Sequence, residues 1–163
     1  MKKWLLMFIA VVFLAGCGSQ ETFETVEDVY APVEPQYGEV FLSLPEEAAA
    51  EVMESADGCK LYRCDGYDIL LETVEAGDLN GTIRAMTGIA PENLTILETK
   101  QGDCSRYDFV WSCVSDDGEQ VCRGAVLDDG TGHYCLSVQS SAGNARDLQE
   151  SWNSQFQSFG VSY

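Results

Sequence analysis

Positive charge is scarce in this chain of 163 residues: 9 Lys and Arg stand against 27 Asp and Glu, a formal net charge of −18. A nucleic-acid surface needs a basic patch to neutralise phosphates, so nucleic acid is excluded as a partner. No apolar run is long. The longest, Trp4 to Ala15, is twelve residues, whereas a membrane-spanning helix needs roughly 20. There is no C-x-x-C, G-x-S-x-G, P-loop or H-E-x-x-H motif, so the redox, hydrolase, nucleotide and zinc-protease chemistries tied to them have no foothold. The spacing D-x-[DN]-x-[DN]-G is missing as well, which excludes an EF-hand. Internal repeats, a collagen period and coiled-coil heptads are all absent. Gross disorder is excluded too, because 45% of residues are hydrophobic and 10% aromatic. The length suits one domain with a tail.

What is present begins with an address. Lys2 and Lys3 precede the short apolar run, which closes on Leu14-Ala15-Gly16-Cys17. A charged start, a short apolar core and small residues before a cut make a secretory signal. The four-residue ending resembles the bacterial lipobox, whose cysteine thiol receives a diacylglyceryl group and becomes the mature N-terminus. The resemblance implies a signal peptide over residues 1–16, lipidation of Cys17 and a lipid-anchored protein on the extracytoplasmic face of the cell membrane. Two acyl chains give stable anchoring where one is marginal. Removing residues 1–16 takes Lys2 and Lys3 and no acid, leaving 7 basic against 27 acidic residues, or −20. Anionic headgroups repel such a surface, so the lipid must hold the protein there.

Residues 17–38 read as an acidic tether. They carry Glu21, Glu24, Glu27, Asp28 and Glu34, with Pro32 and Pro35 and no Lys or Arg. Like charges and prolines keep such a segment extended. Residues 39–163 then form a single domain. Four Asp-Gly pairs punctuate it: Asp57-Gly58, Asp65-Gly66, Asp117-Gly118 and Asp129-Gly130. Asp-Gly between β-prone runs is a strong hairpin signal. The flanking runs are Lys60–Cys64, Tyr67–Val74, Leu94–Glu98, Tyr107–Val114, Gln120–Leu127 and His133–Gln139.

Two helices interrupt the strands. Asp78 caps the first, with Leu79, Ile83 and Met86 on one face and Gly88 as its stop. Asn144 caps the second, which runs over Ala145–Phe159 with Leu148, Trp152, Phe156 and Phe159 on one stripe and Gly160 after it. Residues 46–55 carry signals for both helix and strand, and the hairpin pattern favours strand. This order gives an α+β fold: an antiparallel sheet, hairpin plus meander, flanked by helices.

Several stretches resemble small bacterial lipoproteins of uncharacterised role: Arg106-Tyr107-Asp108-Phe109-Val110-Trp111, Leu127-Asp128-Asp129-Gly130, His133-Tyr134-Cys135-Leu136-Ser137-Val138, and the ending Trp152, Phe156, Ser158-Phe159. The element order resembles the PsbP-like sandwich. These residues are core and turn positions, so the resemblance implies a fold and transfers no catalytic residue.

Six cysteines remain beside Cys17: Cys59, Cys64, Cys104, Cys113, Cys122 and Cys135. With Asp117-Gly118 as a two-residue turn, Cys113 falls opposite Cys122 in a non-hydrogen-bonded pair, Cα atoms ~4.5 Å apart, within disulfide reach. With Asp129-Gly130 as the next turn, Cys135 falls opposite Gly124, one diagonal step from Cys122 and a looser competitor for it, and His133 falls opposite Val126. On one strand Cys59 and Cys64 face opposite ways, roughly 16 Å apart. His133, Cys135, Cys122 and Cys113 share a face but are too spread to converge on zinc at ~2.0–2.3 Å, so neither metal nor cofactor is expected. His133 reads as a solvated side chain beside a turn. The aspartate doublets Asp116-Asp117 and Asp128-Asp129 read as turn chemistry. Trp111, Trp152, Phe156 and Phe159 read as core.

The function favoured by this pattern is a non-enzymatic accessory or binding module of the cell envelope, with an envelope protein as partner. Two alternatives stand beside it. One is a small-ligand carrier with a pocket between helix and sheet. The other is a thiol- or histidine-dependent enzyme using His133 and Cys135.

Overall fold

A computed structural model describes residues 36–48 and 58–163. Lipidation of Cys17, the signal peptide and most of the tether lie outside the described residues. So does most of the ambiguous stretch, of which residues 46–48 are described, with Ala48 N–H on the Pro45 carbonyl at 3.0 Å.

The described elements follow the chain as β1 (Glu39–Phe41), β2 (Lys60–Cys64), β3 (Tyr67–Glu75), α1 (Leu79–Thr87), β4 (Ile96–Gln101), β5 (Cys104–Ser115), β6 (Gly118–Asp128), β7 (Gly132–Ser141), α2 (Gln149–Ser158) and β8 (Gly160–Ser162). A 3-10 turn over Pro91–Asn93 leads into β4. Six strands form an antiparallel sheet in the order β2-β3-β7-β6-β5-β4, and β1 pairs with β8 in a two-stranded sheet. The expected α+β class is thus present. The β2–β3 hairpin joins the β4–β7 meander through β7, and the β1–β8 pair is an addition that the sequence pattern does not predict.

Helix α1 forms as its sequence signals predict. The Asp78 carboxylate accepts the Asn80 N–H at 3.1 Å, satisfying one of the orphan donors of the first turn. Gly88 ends the helix at φ 71°, a left-handed conformation that any β-carbon would strain, and its N–H returns to the Arg84 carbonyl. Helix α2 differs. It starts at Gln149, with Leu148 as its cap and no capping side chain. Asn144 lies in the preceding turns, where its carbonyl accepts from Asp147 and Leu148. Phe159 already has extended backbone, and Gly160 opens β8 rather than merely ending the helix.

The hairpins carry the main correction. Asp65-Gly66 does occupy its two-residue turn, between the paired Cys64 and Tyr67. The β5–β6 turn instead centres on Asp116-Asp117, because Ser115 pairs with Gly118. The Ser115 hydroxyl accepts the Asp117 N–H at 3.2 Å and donates to the Gly118 carbonyl at 3.3 Å. The β6–β7 turn moves the other way. Asp128 accepts the Gly130 N–H at 2.8 Å, and Asp129 accepts the N–H groups of Thr131 and Gly132 at 2.7 Å each. In both hairpins a side-chain oxygen captures the loop N–H groups, and the turn settles one residue away from the Asp-Gly centre. Each strand keeps its faces, because the partners shift by two.

Two core clusters use alternate residues of the same strands. One joins Ala125, Leu127, Tyr134, Leu136 and Val138 to Trp152, Phe156 and Phe159 at the α2 end of the chain. The other joins Phe109, Trp111, Cys122, Val126 and Cys135 to Ile83 of α1. Each helix therefore contributes buried side chains to one of the two clusters. Trp152 is 5% exposed, and truncating such a ring to alanine costs about 3–5 kcal/mol.

Candidate functional site

The sequence offered His133 and Cys135 as reactive groups. Both are on β7 and neither is open to solvent. His133 is 1% exposed, against the expectation of a solvated side chain. The longer β6–β7 loop sets it opposite Asp128 rather than Val126. There it lies beneath α1, with Nδ1 hydrogen-bonded to Thr82 Oγ1 at 2.8 Å and Nε2 3.9 Å from Asp128 Oδ2. Cys135 falls opposite Val126 rather than Gly124, and is 3% exposed. Burial, with a smaller contribution from Glu72, pushes its thiol up to about 12, so at neutral pH it is a thiol and not a nucleophilic thiolate. Among the described residues, no group of three or more His, Cys, Asp and Glu gathers to hold a metal.

Cys113 and Cys122 are brought together, though not as directly opposed residues. Cys113 pairs with Gln120 and Cys122 with Trp111, which makes the two cysteines diagonal neighbours on one face. Their sulfurs are 3.8 Å apart and unbonded. Burial, then the hydrogen bond and charge of Cys113, push Cys122 up to about 12. Cys59 precedes β2 and is half-buried, whereas Cys64 closes that strand and is buried.

A different site opens on the other face. A groove of about 470 Å³ is bordered by β5, β6, the turns after β7 and α2. Val110, Val121, Ala145 and Trp152 supply its apolar lining, and Arg123, Arg146, Gln149 and Asn153 its polar one. Strand alternation puts Arg123 on the α2 side of β6. Its guanidinium lies 4.1 Å from the centroid of the Phe156 ring and donates to Asn153 Oδ1 at 2.7 Å. Burial lowers its pKa, and nearby Asp108 opposes that shift. The Asp108 carboxylate stands 3.9 Å from Arg123 and is gripped by Arg106 at 2.7 and 2.9 Å. No sequence motif singles out Arg123 or Arg146. Their one sequence signal is scarcity: they are two of seven cations beyond Cys17.

The fold resembles that of cyanobacterial PsbP. The solution structure of PsbP from Synechocystis sp. PCC 6803 aligns with a TM-score of 0.54 at 9% identity, covering 82% of this chain and 97% of that one. LpqN, involved in cell envelope biogenesis of Mycobacterium tuberculosis, aligns at 0.52 with 12% identity over 80% and 88%. The Saccharomyces cerevisiae Ran-binding protein Mog1p aligns at 0.51 with 13% identity over 75% and 89%. At these identities the likeness is one of fold. No protein-family model matches the sequence, and no curated protein does. LpqN acts in envelope biogenesis and Mog1p binds Ran, so the architecture does not carry one activity with it.

Proposed function

We propose that this chain is a lipid-anchored, extracytoplasmic lipoprotein whose domain serves the cell envelope as a non-enzymatic accessory or binding module. The observation that carries the non-enzymatic part is burial of the reactive pair: His133 and Cys135 are 1% and 3% exposed, out of reach of any substrate. The anchoring part rests on Leu14-Ala15-Gly16-Cys17 and the charged start before it. Similarity in fold to LpqN, described as acting in envelope biogenesis, supports the location.

Fractionation of cells carrying Cys17→Ala tests the anchor. The variant is expected in the soluble fraction, and retention on the membrane would overturn the reading. Affinity capture of the lipidated protein from its own membranes tests the accessory role, with a co-purifying envelope protein expected. The groove beside α2 favours a second reading, a carrier or sensor of a small ligand.

A further inference from the structure

The groove is an electrostatic exception. The mature chain has a formal charge of −20, yet among the described residues no Asp or Glu lines this cavity, and two arginines do. Several other cations of the domain are occupied. Arg106 is held by Asp108 and Gln101, Arg63 by Asp68, and Lys100 donates to Ser105. Arg123 spends one donor on Asn153, while Asp108 stays beyond hydrogen-bond distance. Arg146 is exposed at the entrance to α2. The nearest acids in the chain, Asp147 and Glu150, do not line the cavity.

Two further features point the same way. The α2 N-terminus has no capping side chain among the described residues, and Gln149 and Trp152 bring its first turn to the groove. The first-turn N–H groups of a helix add positive potential at that end. Trp152, which lines the groove, has a buried indole N–H without a hydrogen-bond partner among the described residues. Guanidinium groups recognise carboxylate and phosphate through paired, charge-assisted hydrogen bonds.

We propose that this groove binds an oxyanion carried on an apolar body. A carboxylate or phosphate sits on Arg123 and Arg146, and the apolar part lies against Val110, Val121 and Trp152. The volume of about 470 Å³ is that of a small-molecule pocket. A freely diffusing amphipathic acid is the occupant, because the charge of −20 keeps the domain away from anionic headgroups. The proposal rests on reading the chain as a binding module.

The test is calorimetric titration of the full chain in dodecyl maltoside micelles, with a micelle blank, using 2-naphthoate, its neutral analogue 2-naphthamide, and inorganic phosphate. Naphthoate is expected to bind. The amide, and phosphate without its apolar body, are expected to bind at least about tenfold more weakly. Arg123→Gln and Arg146→Gln should each cost naphthoate about tenfold in affinity. Arg146 is exposed, so its variant should keep the wild-type urea midpoint and guard against misfolding as the explanation. Amide binding equal to naphthoate binding, an unchanged affinity in Arg146→Gln, or no heat up to about 5 mM naphthoate would each overturn the site. Displacement of naphthoate by mixed micelles carrying phosphatidylglycerol, but not by mixed micelles carrying phosphatidylcholine, would overturn the free acid in favour of a headgroup. Failure here with Cys17→Ala released from the membrane sinks the groove alone. Naphthoate binding with Cys17→Ala retained sinks the anchor alone.

Discussion

Tyr134 donates its phenol hydrogen to Asp129 Oδ2 at 2.8 Å, and the same phenol oxygen accepts the Gly38 N–H at 2.8 Å. One hydroxyl thereby ties the residue before β1 to the β6–β7 turn. Tyr163 donates to the same carboxylate oxygen, so the segments flanking the β1–β8 pair both converge on Asp129.

That convergence predicts acid sensitivity. Burial alone would raise the Asp129 pKa, but it is outweighed by hydrogen bonds from Tyr163, the Gly132 and Thr131 N–H groups and Tyr134, which bring it down to about 2. A carboxylate whose folded pKa lies below its unfolded value of ~3.9 stabilises the fold above that value and loses its contribution as pH falls toward 2. Urea midpoints measured from pH 5 to pH 2 should fall steeply in the wild type. Asp129→Asn should start lower and show a flatter profile over the same window. Parallel profiles would remove Asp129 as the source.

Gly124 predicts a packing defect. It pairs with Phe109 across β5 and β6. A β-carbon there would lie 2.7 Å from Phe109 Cε2 and 3.1 Å from Trp111 Cζ3, and both rings are buried. Gly124→Ala should lower stability by about 1–3 kcal/mol by overpacking, read as a lower denaturant midpoint with an unchanged m-value. A variant as stable as wild type would show that the rings can yield.

The cysteines predict an order of labelling. Cys59 and Cys113 are half-buried, and the other four described thiols are buried. Iodoacetamide at pH 8 should alkylate Cys113 and Cys59 first. Cys122, pushed up to about 12, should stay protected until unfolding. A Cys113–Cys122 disulfide needs the sulfurs to close from 3.8 Å to ~2.05 Å, so we propose it as an oxidised state of this pair. The azo oxidant diamide, which takes two electrons and two protons to become its hydrazine, should produce that linkage. Non-reducing peptide mapping would show it, and exclusive linkage to another cysteine would end the idea.

Local chemistry is legible in the sequence. Asp78 and Gly88 bound α1 because a cap needs only its own turn and the neighbouring N–H groups. The strands around Asp65-Gly66, the common face of Cys113 and Cys122, and the buried stripe of Trp152 and Phe156 follow from periodicity alone. The β1–β8 pair is not legible. Three-residue strands carry too little pattern, and their partners are far apart in the chain.

The sequence by itself determined the faces: which residues of each strand and helix turn inward, since that is a period of two or 3.6 read along one segment. Only the tertiary structure decided the partners. Ser115 and Asp129 moved two turns by one residue each, because their oxygens captured loop N–H groups that the Asp-Gly pattern does not count. Those small shifts took Cys113 from opposite Cys122 and placed His133 beside Asp128. Likewise, Arg123 and Arg146 are unremarkable charges along the chain, and they share a groove because α2 folds back over β6. Faces follow from local geometry, whereas neighbours follow from turns and packing between segments that no short window contains.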